Sequence, residues 1–415
     1  MDKLKNSKFN RGITLVALVV TIVVLLILAG VSINLVLGEN GLISQAQEAR
    51  EKTKQAEKNE TEEISNTSDF ITQTVVNLPR TDETKPYAPS SEFSVVEGTN
   101  LANGLVIEDS DGNQYVWVEV PMTTTVYPTT GLNVTQFNTE TYKKIEEDLH
   151  QYTMSYRKGK SDTETTYKDE YVENSDAKEN WFNGENEYNE QKYKMLKSVY
   201  QNGGFYVGRY EAGIKQNRTS KVEINEVPES KENLYPYTYI TRAQAKVLAE
   251  KVQYGEYTGS LMFGVQWDLM LADIHKKCNI DNNILNNDST AIGNYYDATY
   301  TINRGKYAKF GENGNEWRKN TDSLNDIVNN KIKLVSTQSN SILLTTGAVE
   351  RNKTMNIYDI AGNVWEWTLE YAISGYPCAS RGGHCDSSGS EAASYRIGSI
   401  SNYSNEYVGF RVSIY

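Results

Sequence analysis

Residues Asn356 to Thr368 read Asn-Ile-Tyr-Asp-Ile-Ala-Gly-Asn-Val-Trp-Glu-Trp-Thr, and no other stretch constrains the fold as tightly. Trp365 and Trp367 are large apolar side chains with a polar edge, so they belong in a core where the indole N–H can find a partner. Gly362 permits a sharp turn ahead of them. The carboxylates have two readings. Asp359 and Asn363 can satisfy the amides of that turn. Alternatively, Asp359 and Glu366 can serve a hard cation such as calcium, which takes about six to eight oxygens from carboxylates and backbone carbonyls.

A chain of 415 residues has ample material for a sizeable core. Its formal charge of -12, with no basic stripe to offset it, excludes nucleic acid as a partner class. The cysteines Cys278, Cys378 and Cys385 are too few for a disulfide scaffold, and His150, His275 and His384 are widely spaced for a zinc site. There is no phosphate-cradling Gly-rich loop ending in Lys-Ser/Thr, no nucleophile elbow and no His-Glu-x-x-His.

Gly12 to Gly38 carries no charge. A helix of about 25 such residues reaches beyond a hydrocarbon core ~30 Å thick. Lys3, Lys5, Lys8 and Arg11 precede it, which places the N-terminus inside and the remainder outside. The apolar run is longer than a signal-peptide core, and no clean small-x-small cleavage site follows it. Arg11-Gly-Ile-Thr-Leu-Val-Ala17 resembles the processing site of type IV prepilins and pseudopilins. The resemblance implies cleavage after Gly12 and methylation of Ile13, with prepilin peptidase and pilin-like subunits as partners. Ala17 stands where that family usually has a glutamate that aids filament assembly. Leu42 to Val76 reads as a polar helical stalk, and Pro79, Pro86 and Pro89 mark a linker.

Farther on, Leu105-Val-Ile107, a turn at Asp109-Ser-Asp-Gly112 and Gln114 to Val120 predict a β-hairpin. Phe205 to Glu211 predicts another strand, Thr241 caps a helix, and Leu261 to Ile274 predicts a second helix. The stretches 138–198, 215–234 and 278–345 are polar, show little apolar periodicity and read as long loops.

The segment Asn356–Thr368, followed by Arg381-Gly-Gly383 and Gly409-Phe-Arg411, resembles the formylglycine-generating-enzyme (sulfatase-modifying-factor) family. Phe205-Tyr-Val-Gly-Arg-Tyr-Glu211 fits the same resemblance. It implies a C-type-lectin-like fold, and a calcium loop with Asp359 and Glu366 side chains and the carbonyls of Gly362 and Val364. The family's enzymes hold copper with two cysteines just beyond the Arg-Gly-Gly motif. Here Cys385 stands alone there, and Cys378 lies upstream as a candidate disulfide partner. Copper and formylglycine-generating activity are therefore not expected.

His384 to Tyr407 is rich in Ser, Tyr, Asn and Gly, the composition of paratopes and also of solvated loops. Its position between two rigid motifs favours a ligand-binding face built from His384, Cys385, Asp386, Ser387, Ser388, Ser390, Tyr395, Ile397, Ser399, Ile400, Asn402, Tyr403, Asn405 and Tyr407. The arrangement resembles the variable proteins of diversity-generating retroelements, in which altered asparagine codons diversify such a face.

The expected fold class is α+β: a long N-terminal membrane and stalk helix followed by a C-type-lectin-like (formylglycine-generating-enzyme-type) domain with long irregular loops. The leader would span 1–12, the pilin-like helix and stalk 13–78, a linker 79–99 and the domain 100–415. The expected function is binding of an extracellular protein or glycan from the cell surface, through a single-pass anchor. An exported enzyme with an altered site and a minor pseudopilin are the alternatives.

Overall fold

Asp109 and Gly112 set the first hairpin. The Asp109 carboxylate accepts the backbone N–H groups of Asp111 and Asn113 at 3.0 and 2.7 Å, and Gly112 adopts φ +88°. This Asx-type turn pairs Val106–Glu108 with Gln114–Glu119 in the expected antiparallel register. In the computed structural model the described residues are 84–157, 168–172, 181–221, 226–255, 257–309, 316–319 and 341–415, together with 19–20.

The hairpin belongs to a seven-stranded antiparallel sheet. Gln114–Glu119 pairs with Gly204–Gly208, which pairs with Val412–Ile414, and that strand pairs with Tyr257–Leu261. The C-terminal strand is thus interior to the sheet, and residues 408–414 are buried. Residues from the stretch expected as linker pack here too: Tyr87 stacks on Tyr257, and Thr84 accepts the Trp117 indole N–H at 2.7 Å.

A four-stranded sheet runs in the order Arg396–Ser399, Tyr376–Arg381, Trp365–Ile373, Val408–Phe410, with the last pair parallel. The Gly264–Cys278 helix touches the Gln114–Glu119 strand of the large sheet and the Trp365–Ile373 strand of the small one. Gly264 to Ile274 are consequently buried throughout. Asp169 accepts the N–H groups of Gly264 and Val265 at 2.7 and 2.8 Å, satisfying donors that the first turn of a helix leaves open. Thr241 and Gln244 form a capping box on Arg242–Ala249, as expected of Thr241.

The long N-terminal helix of the expected fold class is corrected. Among the described residues the helices are short, and none is long and apolar enough to cross a membrane. The longest, Glu185–Asn202, is 18 residues with glutamates and lysines along its outer side. It buries Tyr188, Met195, Leu196, Val199 and Tyr200 against protein. That helix is held by one buried face, the opposite of an all-round apolar span. The single-pass anchor, the transmembrane and pilin-like character and the surface localisation therefore have no support in the fold. Of 13–78, only Val19 and Val20 are described; Gly12 and Ile13 lie outside the described residues.

Candidate functional site

The motif forms a polar knot sealed from solvent. Asp359 and Asn363 adopt φ +55° and +62°, left-handed values that Asp and Asn tolerate better than most residues. Gly362 sits at φ +71°, and a Cβ there would fall 2.1 Å from the Asn294 carbonyl oxygen. Asn363 accepts from Leu344 N–H at 2.9 Å and from Asn294 Nδ2 at 3.0 Å, while its own amide donates to Glu211 at 2.6 Å. Burial and the nearby Asp359 and Glu366 push the Glu211 carboxyl well up.

These contacts decide how the four residues expected to hold calcium are used. Asp359 accepts from Gly347 N–H at 3.0 Å and Asn352 Nδ2 at 3.2 Å. Glu366 is held by Arg411 at 2.7 and 3.1 Å. The positive charge beside Glu366 is thus a guanidinium, which also donates to the Gly208 and Tyr358 carbonyls. Gly362 donates its N–H to the Gly382 carbonyl, and Val364 donates to Glu211. The Asp359 and Glu366 carboxylates are thus both engaged by protein donors as arranged.

A second buried network lies behind Arg381 of the Arg-Gly-Gly motif. Arg381 binds Asp268 at 2.6 Å, and Arg396 binds Asp268 at 2.7 Å and Glu370 at 3.1 Å. Two arginines and two carboxylates balance, all at least 98% buried.

Around this scaffold lies an open cleft of about 710 Å³, lined by Tyr296, His384, Asp386, Ser387, Ser388, Ser390, Glu391, Asn405, Glu406 and Tyr407. Its walls are tied to the motif by backbone hydrogen bonds. Cys385 N–H donates to the Asn363 carbonyl at 3.0 Å, and Trp365 N–H donates to the Tyr407 carbonyl at 2.8 Å. On one side the His384 ring stacks on Tyr407, with centroids 4.2 Å apart and planes at 16°. The Tyr403 and Tyr407 hydroxyls meet at 2.6 Å. Burial lowers the His384 pKa to about 4, so the ring is neutral near pH 7. Its Nδ1 accepts the Asp386 N–H at 3.2 Å, which leaves the ring proton on Nε2.

The expected binding face divides into three groups. His384, Asp386, Ser387, Ser388, Ser390, Asn405 and Tyr407 come together in the cleft. Ile397 and Ser399 lie on the edge strand of the small sheet, continued by Ile400 and Asn402; Ile397, Ile400 and Asn402 are exposed. Cys385, Tyr395 and Tyr403 are turned to the scaffold. Cys385 is fully buried beside Leu343 and Val364, Tyr395 lies 6.0 Å from Trp365, and Tyr403 meets Trp367 edge-on. Cys378 and Cys385 are not joined by a disulfide. Glu391, Glu406 and Tyr296 line the cleft but were not foreseen. The two acids lie within the 384–407 stretch that drew attention, whereas Tyr296 comes from a polar stretch with no local signal.

Among the described residues one set of three potential ligand side chains converges: Glu146, His150 and Asp169. Lys192 already sits 3.0 Å from Glu146 and donates to the Asp169 carbonyl at 2.7 Å. An ammonium therefore occupies the cation's role there. No protein-family model matches the chain, and no curated protein matches it.

Proposed function

We propose that this is a ligand-binding protein without formylglycine-generating activity, and that the cleft between His384 and Tyr407 receives its ligand. The observation that carries the reading is positional. Seven residues picked from composition as a binding face line one cleft, and their backbone is anchored on the Asn363–Trp365 segment. Such a wall is set before the ligand arrives, which lowers the ordering cost of binding. Tyrosine, serine and asparagine on a fixed support suit a protein or glycan surface. Cys385, standing alone and buried with its thiol pKa pushed well up, does not offer the exposed thiolate that metal or thiol chemistry needs.

The test is to probe peptide and glycan arrays with the full-length protein and with Tyr407→Ala, whose thermal midpoint is measured alongside. Binding by the wild type that Tyr407→Ala loses, with the fold retained, supports the cleft. Binding unchanged in the variant, or no binding to either array, counts against it.

A further inference from the structure

The acids of the cleft differ from the acids of the scaffold. Asp268, Glu370 and Glu366 each face an arginine. Asp386, Glu391 and Glu406 instead are held by hydroxyls: Ser341 donates to Asp386 at 2.5 Å, Ser387 to Glu391, and Tyr239 to Glu406 at 3.3 Å. Among the described residues no lysine or arginine lines the cleft, and His384 is uncharged near neutrality. Three partly buried acidic groups therefore share one concavity, with no counter-charge among the described residues of its walls. Beside them stands the flat His384–Tyr407 stack.

We infer that the cleft takes a cationic group, a guanidinium in preference to an ammonium, packed on the His384–Tyr407 stack and held by Asp386, Glu391 and Glu406. This rests on the reading of the cleft as the binding site and names its ligand class. A guanidinium is planar, stacks on aromatic faces and offers several donors to carboxylates, so it fits both features of the wall. An ammonium answers the charge but not the flat surface. Burial pushes the Asp386 and Glu391 carboxyls up, a penalty that a bound cation relieves. The guanidinium is the head group of an arginine side chain, whereas a free polyamine offers ammonium groups alone.

The experiment titrates full-length protein with acetyl-Gly-Arg-Gly-amide, with the same peptide carrying citrulline, and with spermidine. Citrulline keeps the shape and removes the charge. The arginine peptide is expected to bind at least about tenfold more tightly than the citrulline peptide, as losing a charge-assisted hydrogen bond implies. Glu391→Gln and Glu406→Gln should each weaken it severalfold with the thermal midpoint unchanged, and added salt should weaken it further. Tighter binding of the arginine peptide than of spermidine supports the guanidinium preference; the reverse order overturns it. Equal affinity for arginine and citrulline, indifference to both Gln variants, or no binding of either cationic probe overturns the inference. If a neutral ligand from the arrays still depends on Tyr407, the cleft stands and only the cation class falls.

Discussion

Arg411 grips Glu366 through Nη2 and Nε at 2.7 and 3.1 Å, with both side chains at least 98% buried. One residue comes from the last few of the chain and the other from the Trp-Glu-Trp run. The pair ties the two sheets together, because the Arg411 guanidinium also binds the Gly208 carbonyl on the large sheet. It also decides how the motif's acid is used: as half of a structural ion pair.

Breaking that pair on one side should be costly. Arg411→Met leaves Glu366 buried without its partner, and an expected loss of about 3–5 kcal/mol follows from removing one member of a buried pair. The double variant Arg411→Met, Glu366→Met removes both charges and should recover much of the loss. Urea unfolding of the two proteins checks this. A single variant no less stable than the double one would contradict it.

Asp169 makes a second prediction, with a defined pH window. Its burial raises the carboxyl pKa, but His150 and the amides of Val265 and Gly264 outweigh that and lower it to about 2, from an ordinary 3.8. Because the folded value lies below the unfolded one, the stabilisation is present above pH ~4 and is lost as pH falls through about 2. Asp169→Asn is therefore expected to cost about 2 kcal/mol at pH 6. The gap from wild type should narrow steadily between pH 4 and pH 2. A gap independent of pH would show that the carboxylate charge is not what caps the Gly264–Cys278 helix.

Positions on the C-terminal segment should respond unequally to change. Ser390 and Asn402 are exposed, so Ser390→Asn and Asn402→Ser should shift stability by no more than about 0.5 kcal/mol. Cys385 is fully enclosed, and Cys385→Asn buries an amide at an expected cost of about 1–3 kcal/mol. Diversification of this segment would have to obey the same distinction. Sequencing the end of the gene across many cells should then find substitutions at His384, Asp386, Ile397 and Ile400, with Trp365, Arg381 and Phe410 constant. Cys385, although also reachable from an asparagine codon, should change least. A uniform sequence would remove diversification and leave a cleft of fixed specificity.

Much of the scaffold was legible because short-range chemistry encodes it. The Asp109–Gly112 turn, the β-branched and aromatic run at Gln114–Glu119 and the Thr241 cap all formed as their residues suggest. The helices Thr139–Tyr152 and Glu185–Asn202 were missed inside a stretch read as loop. The second buries Tyr188, Lys192, Met195, Leu196, Val199 and Tyr200. Its helical period is carried partly by tyrosine and a lysine stem, so a search for aliphatic periodicity passes over it. The partners of Arg381, Arg396 and Arg411 were likewise invisible. Asp268 and Glu370 lie 113 and 11 residues from Arg381, and nothing local in the sequence announces such pairings. The cleft was half legible: composition pointed to its Ser, Tyr and Asn walls, but only folding brings in Tyr296 and separates Cys385 from its neighbours.

The most direct test of the cleft is to fill it. Ser388→Trp places a large side chain on its lining without touching the Arg411–Glu366 pair or the Arg381 network. Calorimetric titration of any ligand captured by the full-length protein, against wild type and this variant, gives the answer. The expected result is loss of binding by at least about a hundredfold, the scale of blocking a central contact, with an unchanged thermal midpoint. Equal affinity in the two proteins would place the binding site elsewhere and contradict the account.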